Sequence, residues 1–72
     1  MFIYLTNYDT GSREAVNFNY IERFVECSGD DQRTWVEIKG RTVPVPYAIT
    51  WKELKDAIDA YNQIVGKALL ND

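Results

Sequence analysis

The stretch Ile49-Thr50-Trp51-Lys52-Glu53-Leu54 starts a helix, and that helix limits what the rest of the chain can be. Thr50 and Glu53 have the spacing of a capping box, in which the hydroxyl accepts from the Glu53 amide and the carboxylate reaches back to the Thr50 amide. Ile49 and Leu54 flank the cap as a hydrophobic staple. Beyond it Leu54, Ala57, Ile58, Tyr61, Ile64 and Val65 recur at helical spacing and form one apolar stripe. Such a stripe needs a surface to cover. Gly66 is expected to end or interrupt the helix, with Lys67 to Asp72 as a frayed continuation.

The residues before the helix read as that surface. Phe2 to Thr6 is a short aromatic and β-branched run, with Ile3 and Leu5 facing one way and Phe2 and Tyr4 the other. Asn7 to Ser12 is a polar loop with Gly11 in a left-handed conformation, and Arg13 to Val16 returns as the second arm of a hairpin. Asn17 stops that arm and caps a tight turn or a single helical turn over Phe18-Asn19-Tyr20. Ile21 to Cys27 breaks the two-residue period, which a bulge near Arg23 reconciles.

After a turn over residues 28–32, Thr34, Val36 and Ile38 share one face of a strand, and Trp35, Glu37 and Lys39 share the other. Lys39-Gly40 turns the chain, and Arg41 to Val45 returns with Val43 and Val45 on one face. Pro44 and Pro46 remove amide donors from one side of that strand, so that side is expected to be an open sheet edge. The expected fold is a single α+β domain over residues 1–72. It has a small antiparallel sheet of four to five strands in two hairpins, with one C-terminal amphipathic helix packed on one face.

Composition narrows the function. The chain has no histidine and one cysteine, Cys27, so the commonest general base, the commonest metal ligand, the usual thiol nucleophile pair and an internal disulfide are all missing. Asp30-Asp31 lacks the further oxygen ligands of a calcium loop. No Gly-rich phosphate loop occurs. These absences point to a non-catalytic protein without cofactor or metal. No apolar run is long enough to span a membrane, and the start of the chain lacks the pattern of a signal peptide. A cytoplasmic protein encoded by a bacterium or phage is expected.

Three surface readings follow. The aromatic residues Phe2, Tyr4, Trp35, Tyr47 and Trp51 are expected to form a protein-binding or homodimer surface on the sheet face away from the helix. An alternative nucleic-acid surface would use Arg23, Arg33, Lys39 and Arg41, with Trp35 and Tyr20 stacking bases. It is disfavoured by the first 47 residues, which hold five basic and seven acidic side chains. Ion pairs across strands, such as one near Glu37 and Arg41, account for the same residues. In a third reading Asp30, Asp31 and Glu37 form the acidic surface of a small phage or mobile-element inhibitor that blocks a host protein.

The order of features resembles the FlbD family of small bacterial flagellar and swarming proteins. The residues that carry the likeness are Gly11-Ser12-Arg13-Glu14-Ala15-Val16-Asn17, Tyr20-Ile21-Glu22, Thr34-Trp35-Val36-Glu37-Ile38, Gly40-Arg41-Thr42-Val43 and Thr50 to Ile58. The first loop is longer here, the Ile21 to Glu26 strand carries an extra residue, and Val45-Pro46-Tyr47 stands where that family is more polar. The resemblance implies a non-enzymatic module in a motility setting. The C-terminal half is also similar to the closing strand, Gly-turn, strand and helix of a LytTR-type DNA-binding domain, which implies the nucleic-acid alternative.

Overall fold

The computed structural model describes the backbone of residues 1–70 and the side chains of residues 1–66. Five strands are followed by one helix: β1 (Phe2–Thr6), β2 (Arg13–Asn17), β3 (Ile21–Cys27), β4 (Asp30–Ile38), β5 (Val45–Tyr47) and α1 (Trp51–Leu70). A 3-10 turn over Phe18–Tyr20 separates β2 from β3, and the Asn17 side chain caps it by accepting from the Asn19 amide at 2.9 Å. The class is α+β, as expected, but the strands form two antiparallel sheets instead of one. One sheet holds β1 and β2; the other has the order β3-β4-β5.

The first hairpin is set by its loop. Asn7 Oδ1 accepts from the amides of Asp9 and Thr10, an Asx turn that bends the backbone by its own side chain. Gly11 completes the reversal at φ +74°, and its amide donates to the Asn7 carbonyl at 2.8 Å. This fixes the register Ile3↔Val16 and Leu5↔Glu14, with Leu5 and Val16 buried. The bulge expected near Arg23 is present as a register shift between Ile21 and Arg23, and a second shift falls between Glu26 and Cys27. The following turn is tighter than expected, because β4 already begins at Asp30.

The last strand lies further along the chain than the alternation suggested. Val45 pairs with Val36 and Tyr47 with Thr34, while Val43 stands outside the sheet and is 67% exposed. The proline side of β5 faces away from β4, but it is not an open edge. The Pro46 carbonyl accepts from the Tyr8 amide and the Ala48 amide donates to the Thr6 carbonyl, both at 2.8 Å, around an isolated bridge between Asn7 and Tyr47. Pro46 has no donor to offer there, and the contact uses only its acceptor. Among the described residues that bridge is the one isolated backbone bridge between the two sheets.

The core is shared by both sheets and the helix: Leu5, Val16, Val36, Ile38, Val45, Tyr47 and Leu54. Thr34 is buried among them, and its hydroxyl donates to the Ile49 carbonyl at 2.8 Å. Helix α1 lies against β3 and β4. Its cap forms with one difference from expectation: Thr50 Oγ1 accepts from the Glu53 amide, but the Glu53 carboxylate accepts from the Thr50 hydroxyl and not from its amide. Half-buried Ile49 packs beside the buried Leu54 cluster. Further along the helix Tyr61 stacks on Phe18 of the 3-10 turn at 4.5 Å and donates to Asn19 Oδ1 at 2.6 Å. Past Tyr61 the stripe loses its cover, contrary to expectation, and Ile64 and Val65 are exposed. The helix also runs through Gly66 to Leu70, so Gly66 does not end it; the expected frayed residues 71 and 72 lie outside the described residues.

Candidate interaction surface

Alternation along β1 sends Ile3 and Leu5 inward and leaves Phe2 and Tyr4 on the outer face of the β1–β2 sheet, 54% and 63% exposed. Their partners across the hairpin are Asn17 and the exposed Ala15, which are too small or too polar to cover them. Two adjacent exposed aromatic side chains on a two-stranded sheet are an unusual use of a small chain's apolar surface.

The same sheet has open edges. The Asn7 amide donates to the Ser12 carbonyl and the Phe18 amide to the Met1 carbonyl. In the antiparallel register these mark the hydrogen-bonded pairs, so Ile3↔Val16 and Leu5↔Glu14 are hydrogen-bonded pairs as well. The intervening residues turn their backbone groups outward: Phe2, Tyr4 and Thr6 on β1, and Arg13 and Ala15 on β2, with the Asn17 N–H beside them; the Asn17 carbonyl accepts the first bond of the 3-10 turn it caps. Thr6 is taken by Ala48. The β2 edge has no strand beside it among the described residues.

A groove of about 400 Å³ runs along that β2 edge, with the Lys39–Arg41 turn on its other side. Phe2, Ala15 and Tyr20 line its mouth, and the buried residues Val16, Ile38 and Tyr47 line its base. Local bonds hold the cationic wall. The Lys39 amide donates to the Tyr20 carbonyl at 2.8 Å, the Arg41 amide donates to the Ile38 carbonyl at 3.0 Å, and Gly40 takes φ +88° between them. Both cationic side chains are exposed, and among the described residues neither makes an ion pair. Glu14 also lines the groove, but its carboxylate is committed inside: Tyr47 Oη donates to Oε1 at 2.7 Å and Asn7 Nδ2 to Oε2 at 3.1 Å. Burial, then the Glu14 bond and charge, push the Tyr47 hydroxyl far above its ordinary pKa, so it remains a donor.

The five aromatic residues expected to share one face do not. Phe2 and Tyr4 are exposed together as described. Trp35 lies on the outer face of the three-stranded sheet, opposite Val25 and Pro46, with the Arg33 guanidinium 5.6 Å from its ring and 4.5 Å from that of Tyr8. Trp51 is on the helix side, where its indole donates to the Phe24 carbonyl at 3.3 Å and its ring sits 5.4 Å from that of Phe24. Tyr47 is fully buried and belongs to the core.

The cationic set is dispersed too. Arg23 pairs with Glu37 at 3.5 Å, replacing the pair expected near Arg41. Arg33 is wedged between Tyr8 and Trp35, where Cys27 and then Asp30 hold its guanidinium above its ordinary pKa. Only Lys39 and Arg41 stand together. Of the acidic set, Asp30 pairs with Arg33 at 3.7 Å, and Glu37 lies near the other end of β4 from Asp30 and Asp31. The three do not make one surface.

A larger cleft, about 860 Å³, lies between the β3–β4 turn and the start of α1 and includes Cys27, Asp30, Asp31, Trp51 and Lys52. Among the described residues no three His, Cys, Asp or Glu side chains converge to hold a metal, and no helix is long and apolar enough to cross a membrane. Sequence reasoning missed Glu14 and Asn7, and it named Tyr20 only for the nucleic-acid alternative. Glu14 carried a usable signal: it shares the inward register of Val16, where an acid needs buried donors. Comparisons with protein-family models, with curated proteins and with solved structures found no match.

Proposed function

We propose that this chain is a non-catalytic, cytoplasmic protein-interaction module whose binding surface is the β1–β2 sheet. The observation that carries the reading is the exposure of Phe2 and Tyr4, side by side on the outer face of a hairpin whose inner face is committed to the core. Large aromatic side chains supply interface energy at a small cost in conformational entropy, and desolvating them on a partner is the main favourable term such a face can contribute. The hairpin is well held, by the Asn7 loop on one end and the Asn17 cap on the other, so the face is preorganised. A motility setting for the partner rests on the resemblance to FlbD-type proteins. The test is capture of partners from extract of the source cell by the tagged chain, compared with the Phe2→Ala/Tyr4→Ala variant at equal thermal midpoint. The double variant is expected to lose the partner. Equal recovery by both chains would sink the reading.

A further inference from the structure

The β2 edge and the Lys39–Arg41 turn bound one groove, and the geometry points to what enters it. We infer that an extended acidic peptide segment of a partner protein docks there as an added strand on β2. This rests on the interaction-module reading above and names the binding mode.

The backbone supplies the first part of the argument. On the β2 edge Arg13 and Ala15 each turn an N–H and a C=O outward and Asn17 turns an N–H outward, Ala15 and Asn17 line the groove, and no strand pairs with this edge among the described residues. An added strand would satisfy these groups at the ordinary inter-strand spacing of about 4.8 Å. Natural edges of this kind are usually blocked by proline, by an inward charge or by a covering loop. Here β2 is Arg13-Glu14-Ala15-Val16-Asn17, with no proline, and the carboxylate of its one inward acid is held by hydrogen bonds from Tyr47 and Asn7.

Charge selects the occupant. The chain is acidic overall at -3, yet Lys39 and Arg41 stand on the groove wall without a carboxylate partner among the described residues. The single carboxylate of the groove, Glu14, is occupied by internal donors. A peptide carrying acidic side chains meets that wall favourably. A second copy of this chain fits less well, because pairing β2 with β2 about a two-fold axis would bring two Lys39–Arg41 turns toward each other. Apolar side chains of the peptide would meet Val16, Ile38 and the ring of Phe2.

Amide spectra of the nitrogen-15-labelled chain test this. The probes are two end-blocked five-residue peptides of alternating glutamate and valine, one in each register, with a lysine–valine pair as control. Binding of at least one glutamate peptide is expected to shift the amides of Arg13, Ala15 and Asn17, slow their exchange, and weaken as salt is raised. Arg41→Glu, on an exposed turn, is expected to weaken binding about tenfold or more. Ala15→Pro removes an amide that makes no hairpin bond, and is expected to abolish binding while the remaining spectrum is retained. The inference is overturned if neither glutamate peptide shifts the β2 amides, if the lysine peptides bind equally, or if Arg41→Glu binds unchanged. Protection of the same amides that grows with protein concentration alone would assign the groove to a second copy and also overturn it. If the peptides fail while partner capture still depends on Phe2 and Tyr4, strand addition is wrong and the interaction module stands.

Discussion

Tyr47 and Glu14 are 33 residues apart in sequence, and the tyrosine hydroxyl donates to the carboxylate at 2.7 Å across the seam between the two sheets. Tyr47 pairs with Thr34 of β4 on one side and bridges to Asn7 on the other. Asn7 in turn holds the second oxygen of the same carboxylate. One acid therefore satisfies the polar end of a buried aromatic ring and the loop that sets the first hairpin.

Replacing Tyr47 with Phe should cost about 1.5–3 kcal/mol, the usual value of a hydrogen bond to a charged group. The ring volume is kept, so the loss reports the hydroxyl alone. Urea denaturation of the two chains at neutral pH measures it, and a difference under about 0.5 kcal/mol would show the bond to be energetically idle.

The same pair sets a pH dependence. The folded-state pKa of Tyr47 is raised above the unfolded value near 10.0, so at neutral pH the hydroxyl is protonated in both states. Above the unfolded value the unfolded chain loses its proton first, and stability falls as pH rises. The wild-type advantage over Tyr47→Phe should shrink by up to about 1.4 kcal/mol per pH unit above pH ~10. Paired denaturation curves at rising alkaline pH check the sign. An advantage that grows with pH would refute it.

The helix should be energetically unequal along its length. Leu54 is fully buried, and Leu54→Ala is expected to cost about 2–5 kcal/mol. Thr50→Ala should cost about 1 kcal/mol through loss of the cap to the Glu53 amide. Ile64, 55% exposed and about one turn beyond Tyr61, should accept Gln with a change below about 0.5 kcal/mol. Thermal or urea unfolding of the three variants measures the gradient.

Much of the local structure was legible because its causes are local. The Thr50 cap, the Asn17 cap, the Gly11 turn and the bulge near Arg23 each follow from a few neighbouring side chains. The errors come from distance. Val43, Val45 and Tyr47 share one alternation, and a two-residue period cannot tell which pair of them meets β4. The stripe from Leu54 to Val65 shows which helix face is apolar, but not where the sheet beneath it ends. Tyr47 looked like an exposed aromatic because its buried acid partner lies in another hairpin. Of the candidate surface, Phe2 and Tyr4 were readable from strand alternation. The groove was not, since β2 and the Lys39–Arg41 turn come together only in the folded chain.

Photocrosslinking in the source cell addresses the interaction surface most directly. A photoreactive phenylalanine analogue at Tyr4 is compared with the same analogue at Val43, a site of similar exposure that lies outside both sheets. The account predicts a discrete protein adduct from position 4 and none from position 43. No adduct from position 4, or equal adducts from both positions, would contradict it.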